Sequence, residues 1–164
     1  VHDPPPDVIA DEATAAAAAA VRAALGDERV AELGALPQAA PVGAALVCHA
    51  SPRSDMDGFS AAPAPEEDAA LLAGVDAPRL IFGHTHRQFG RVAASGQELF
   101  NPGSVGMPLD GDQRAAWALL HSSGFVELRR VAYDVGAAID ALRARYGGEP
   151  WAPVIAARLE SASF

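Results

Sequence analysis

Two short apolar runs, each closed by histidine, leave few folds open to this chain. The first lies in VGAALVCHASPRSD, where a strand is expected from about Ala44 to Cys48, with His49 directly after it. The second is RLIF, residues 79–82, followed by GHTH, which sets His84 and His86 one residue apart. Continuous apolar runs of this length read as strands buried on both faces. Between them, SPRSDMDGFSAAPAP has the Pro, Gly, Ser and Asp density of a loop, and EEDAALLAGV reads as a helix. Strands alternating with helices argue for a layered α/β architecture, with a mixed sheet or two packed sheets. Ligands in such folds gather at the carboxyl ends of buried strands. His49 and the His84/His86 pair both fall there.

The flanking sequence extends the pattern. The opening HDPPPDV cannot be regular, because successive prolines lack amide donors. An alanine-rich helix is expected from about Asp11 to Leu25, with Gly26 just past its end. Asp27 then caps a shorter helix that carries Val30, Leu33 and Leu36 toward the core and stops at Pro37. Two helices thus precede the first strand. GRVAASGQELFN reads as a hairpin turning at Ser95-Gly96, and NPGSVG as a tight turn. AAWALLHS and FVELRRVAYD are the last strands, joined across Ser123-Gly124. Asp134 caps a final amphipathic helix bearing Val135, Ile139, Leu142 and Tyr146, ended by Gly147-Gly148.

Bulk properties narrow the function. The 164 residues are one domain's worth, half of them apolar. Net charge is −9 with no basic cluster, which argues against nucleic acid as an obligate partner. An anionic substrate would need a local positive charge, such as a bound metal, to overcome that field. The single cysteine, Cys48, rules out an internal disulfide framework or thiolate cluster and points to a reducing, cytoplasmic setting. TAAAAAAVRAAL is too short and too alanine-rich to span a membrane, and no basic segment before it suggests a signal peptide.

Two imidazoles on one face of a strand would pack poorly, but at a strand end both can serve as ligands. Neutral imidazole binds zinc, manganese, iron and nickel, and ligands at i and i+2 can lean toward two ions. Gly83 offers close backbone approach. A lone histidine is more simply a polar residue satisfied at a strand terminus, and His2 and His121 are read so. Arg53 is a candidate to bind an anionic group of a substrate, with pairing to Asp55 or Asp57 as its alternative. Asn101 is expected to fix the NPGSVG turn and support the histidine loop from behind. Cys48 reads as a strand residue, and Arg129 and Arg130 face opposite ways. The segment after His49 is expected to wall the substrate cleft, with Asp55, Asp57, Glu66, Glu67 and Asp68 making it acidic and favouring a small substrate over a polyanion.

VCHASP, LIFGHTH, FNPGSVGMPLDGDQRAAWALL and VELRRVAYDV, in this order and spacing, resemble the C-terminal portion of the calcineurin-like metallophosphoesterases, and within them the small bacterial group similar to the YfcE-type phosphodiesterases. The likeness runs from about Ala13 to Tyr146. It implies a layered α/β/β/α sandwich and two divalent metal ions, Mn, Fe, Zn or Ni. His49 and His84 would ligate one ion and His86 its partner. It implies hydrolysis of phosphate esters, in particular phosphodiesters, by in-line attack of an activated water. The family's remaining ligands come from D-x-H, G-D and G-N motifs, and none precedes the matched region. Residues 1–164 are therefore expected to be the C-terminal portion of a single metallophosphoesterase domain, incomplete and by itself inactive, with a homo-oligomer left open. The rival reading is a non-catalytic protein-binding scaffold on the same fold, as in the retromer subunit.

Overall fold

The computed structural model describes residues 12–164, which run α1 (Glu12–Gly34), β1 (Ala39–Val42), β2 (Ala45–Cys48), α2 (Pro65–Leu72), β3 (Arg79–Ile81), β4 (Gln88–Val92), β5 (Glu98–Pro102), β6 (Ala115–Leu120), β7 (Val126–Val131), α3 (Val135–Tyr146) and α4 (Ala152–Ser161). They divide into two compact units, residues 38–133 with 161–164, and residues up to 37 with 134–160. The expectations for HDPPPDV and His2 lie outside the described residues.

In the first unit the two apolar runs are neighbours. β2 and β3 are parallel, with Leu46 opposite Leu80 and Val47 opposite Ile81. β3 pairs in parallel with β5, and β1 and β4 close the sheet antiparallel, in the order β1-β2-β3-β5-β4. Leu80, Phe82 and Leu99 are fully buried with Phe59, Leu72 and Ala93, and Leu46, Cys48 and Phe89 pack against them. Phe82 stacks at a tilt on Phe59 and Phe89, with centroids 4.7 and 5.7 Å away. β6 and β7 form a second, two-stranded sheet that packs on β4 and β5. Gly90 permits that packing, because a β-carbon there would lie 2.9 Å from the Phe100 ring and 3.6 Å from Leu128. The expected hairpins about Ser95-Gly96 and Ser123-Gly124 both form.

β1 corrects the expectation that the chain's first strand begins near Ala44. AAPV pairs with β2 across Gly43-Ala44, where Gly43 takes φ 58°. Pro41 masks this strand in the sequence, yet at a sheet edge its missing amide costs nothing.

In the other unit, α1 consists of two helical segments meeting at Gly26, whose φ of 74° and ψ of 163° break the helix where the sequence places the break. Leu33 and Leu36 do not turn into a core. They are 46% and 65% exposed, and the apolar cluster forms instead from Ile139, Ala156 and Leu159, with Val135, Leu142 and Ile155. Asp134 caps α3 by accepting from the Ala137 amide at 2.8 Å, and Gly147 closes it by donating to the Arg143 carbonyl. α3 is not the last helix, because α4 follows, with Pro153 in its first turn. Among the described residues no helix is long and apolar enough to cross a membrane.

Candidate metal centre

Parallel pairing of β2 and β3 sets their carboxyl ends side by side, and the chain continues the register two residues beyond the last pair, Val47 and Ile81. The Gly83 amide donates to the His49 carbonyl at 2.7 Å. The His49 and His84 rings then meet edge-on, with centroids 5.2 Å apart and planes at 72°. His49 is exposed, and His84 and His86 are half-buried. A β-carbon on Gly83 would meet only the His49 carbonyl, at an ordinary 3.8 Å, so glycine is not demanded there by crowding. The unusual backbone falls on the histidines themselves, with φ 69° at His84 and 57° at His86. The Thr85 amide donates to the Gly83 carbonyl at 2.9 Å, making a γ-turn of the rarer, strained form centred on His84. Non-glycine residues held at such φ cost on the order of 1–3 kcal/mol each, so the surroundings must hold them.

Asn101 supplies much of that hold. It is fully buried, and its Nδ2 donates to the Gly83 carbonyl at 2.7 Å and to Thr85 Oγ1 at 3.1 Å. Its Oδ1 accepts from the Gly103 amide at 2.9 Å, so the side chain both fixes the turn and grips the histidine loop, as the sequence suggests. Gly103 sits at φ 79°, where a β-carbon would lie 2.7 Å from Ala116 Cβ. On the other side, His86 Nδ1 lies 2.9 Å from the Met107 carbonyl, and the Leu109 amide donates to the His86 carbonyl. Asp110, Gln88 and Arg130 brace this segment, and sequence reasoning assigns them no role. MPLDGDQR carries no local pattern that pairs Asp110 with Arg130 on another strand.

The electrostatics favour neutral imidazole at His84. Burial lowers its pKa, the neighbouring His49 and His86 lower it further, and a hydrogen bond to the Met56 backbone and the Asp55 carboxylate only partly oppose them. Met56 reaches this position because the Ser54 hydroxyl accepts from the amides of Met56 and Asp57, curling the loop after β2. Cys48 is pushed up to about 11 by burial and by Asp55, so its thiol stays protonated at neutral pH.

Asp55, Asp57, Glu66 and Glu67 are exposed, but Asp68 does not join an acidic wall. It is buried and meets the Arg91 guanidinium in bidentate fashion at 2.5 and 2.7 Å, because a buried carboxylate at the start of α2 requires a partner. Arg53 is exposed and donates from Nη1 to the Ala73 carbonyl at 2.7 Å, not to Asp55 or Asp57. His121 meets Glu127 at 3.2 Å on the second sheet, in keeping with its reading as a satisfied polar residue. Arg129 pairs with Glu127 and lies over Trp117, whereas Arg130 turns to Asp110, so the two arginines do face opposite ways.

The donor set fits a divalent ion in kind. His84 is favoured in its neutral form, and His86 has its Nδ1 engaged by a backbone carbonyl, which leaves Nε2 as the donor it can offer. In number it falls short, since among the described residues no three His, Cys, Asp or Glu side chains converge into a group able to hold an ion alone.

No family model matches the chain, and no curated protein matches it. Solved structures do. A metallophosphoesterase from Sphaerobacter thermophilus superposes with a TM-score of 0.65 at 25% identity, over 85% of this chain and 63% of that one. A hypothetical protein from Pyrococcus horikoshii gives 0.71 at 21% identity, over 96% and 65%. Vps29 of Entamoeba histolytica, in complex with zinc, gives 0.32 at 19% identity over 57% and 58%, too loose a superposition to carry an argument. The fold is the layered α/β sandwich of the metallophosphoesterases, and the chain spans just under two thirds of the length of the first two structures.

Proposed function

We propose that the protein of which this chain is a part hydrolyses phosphate esters, in particular phosphodiesters, at a centre of two divalent ions, with this chain supplying the histidine side of the site. One observation carries the reading: His49 and His84, at the ends of adjacent parallel strands, have their rings 5.2 Å apart, with His86 two residues on and its Nδ1 engaged by the Met107 carbonyl. His49 and His84 hold one ion and His86 the other. Bound divalent ions supply Lewis-acid charge to phosphoryl oxygens and lower the pKa of water.

Three neutral ligands bring no negative charge to offset two dications, so full occupancy calls for carboxylates beyond those grouped here. Arg53, an exposed residue with one donor on the Ala73 carbonyl, is our candidate to bind a phosphoryl oxygen, supported by its place in the loop that follows His49. The exposed acids Asp55, Asp57, Glu66 and Glu67 repel polyanions and favour a small ester. Elemental analysis of the intact protein and of its His84→Ala and His86→Ala variants tests the assignment. The expected result is the loss of one ion and the weakening of the other, together with loss of bis-p-nitrophenyl phosphate hydrolysis. Unchanged stoichiometry in both variants refutes it. An intact protein that binds no ion and hydrolyses nothing returns the fold to the scaffold reading.

A further inference from the structure

We propose that the Asp110–Arg130 ion pair is a positioning device for His86, fixing which ring nitrogen carries the proton so that Nε2 is offered as a lone pair. This rests on the reading of His86 as a ligand. A backbone carbonyl can only accept, so the nitrogen 2.9 Å from the Met107 carbonyl must be Nδ1–H, which leaves Nε2 unprotonated in the neutral ring. The tautomer is therefore only as well defined as the position of Met107. Met107 belongs to an irregular segment between β5 and β6, where no ladder holds the backbone.

The Met107 amide donates to Ser104 Oγ at 3.0 Å, and the chain just beyond it is held by hydrogen bonds converging on one carboxylate. Asp110 Oδ2 accepts from the Gln88 amide at 2.8 Å, two residues after His86, and from Arg130 Nη2 at 2.5 Å. Arg130 Nη1 donates to Asp110 Oδ1 at 3.1 Å and to the Asp112 carbonyl at 3.2 Å, and Nε to Gln88 Oε1 at 3.1 Å. Gln88 Nε2 reaches the carbonyls of Pro102 on β5 and Trp117 on β6, each at 3.1 Å. Asp110 thus ties the end of the histidine loop to the segment carrying Met107, and Arg130 anchors both to the second sheet. The Leu109 amide, donating to the His86 carbonyl at 3.0 Å, sets the same two segments in register from the other side. With side chains only 15% and 14% exposed, the pair is costly to desolvate, and rigid placement of its neighbours is what such a pair can return.

The test is made in the full-length protein with Asp110→Ala and Asp110→Asn. Long-range proton–nitrogen correlation spectra of the metal-free protein at about pH 8, above the imidazole range, read the His86 tautomer directly. The expected result is Nδ1–H in the wild type, a rise of the Nε2–H form in Asp110→Ala, and partial recovery in Asp110→Asn, which keeps an acceptor oxygen. Affinity for Mn²⁺ alone, by titration calorimetry, should fall about 10–100-fold in Asp110→Ala. Retention of the Nδ1–H form in Asp110→Ala overturns the proposal, even if affinity falls, because the pair then acts through the fold and not through the ring. If His86→Ala binds Mn²⁺ like the wild type, the ligand reading fails while the tautomer result still stands or falls by itself. Should Asp110→Ala not fold, Arg130→Gln gives the same two readouts.

Discussion

Asn101 Nδ2 lies 2.7 Å from the carbonyl oxygen of Gly83, so a buried strand residue holds the backbone immediately before the first histidine of the pair. Asn101→Ala removes both donors and leaves the Gly83 carbonyl and Gly103 amide without this partner, at a cost of about 2–4 kcal/mol. Asn101→Asp keeps the acceptor for Gly103 but sets a carboxylate oxygen against a carbonyl, and should be at least as harmful. Denaturant midpoints of the two variants check this, and an aspartate variant as stable as the wild type would show the amide to be dispensable.

The positive φ of His84 and His86 predicts a separation of stability from binding. Alanine keeps the strain of the left-handed backbone, whereas glycine relieves it, so His84→Gly should be more stable than His84→Ala by about 1 kcal/mol. Neither variant should retain the full metal content. Thermal unfolding of the pair, with metal analysis beside it, reads both effects. An alanine variant more stable than the glycine one would contradict the strain.

Acid should weaken the bracing of the histidine loop. Burial tends to raise the Asp110 carboxyl, but hydrogen bonds from Arg130 and the Gln88 amide and the Arg130 charge outweigh it and hold the pKa below the ordinary carboxylate value. A group depressed on folding contributes stability that is complete above its unfolded pKa and is lost as pH falls through its folded one. Stability should therefore decline below about pH 4, and Asp110→Asn should be less stable at neutral pH but show a shallower decline. Denaturant melts from neutral pH to about pH 3 measure the difference in slope, and identical slopes would remove Asp110 from the account.

Arg53 makes a kinetic prediction. If its free donors grip a phosphoryl oxygen in the transition state, Arg53→Ala lowers kcat and kcat/KM together by about 1.5–3 kcal/mol, with little change in KM. Steady-state kinetics of the full-length protein on bis-p-nitrophenyl phosphate decide it. A wild-type rate would leave Arg53 as a tie between its loop and the Ala73 carbonyl.

The strands that carry the histidines were legible because burial on both faces writes itself as an unbroken apolar run, and Asp134 because an N-cap is a one-residue signal. β1 was hidden by Pro41, whose penalty vanishes at an edge, a fact of the sheet order and not of the local sequence. Leu33 and Leu36 carried the spacing of a buried face, but spacing does not specify a partner, and the described structure leaves both exposed. In the site, Asn101 could be reasoned from NPGSVG, since an asparagine beside a turn serves its neighbours. Asp110 and Arg130 are twenty residues apart, and their pairing exists only once β7 lies beside the loop.

The parallel pairing of β2 with β3 also bears on folding. His49 and His84 come from strands separated by a loop and α2, and no short-range turn can bring their rings together. Their meeting waits for closure of a long loop, among the slower events of folding. A chain still emerging from the ribosome therefore presents isolated imidazoles, and whatever the two rings do together begins at the end of folding instead of guiding its start.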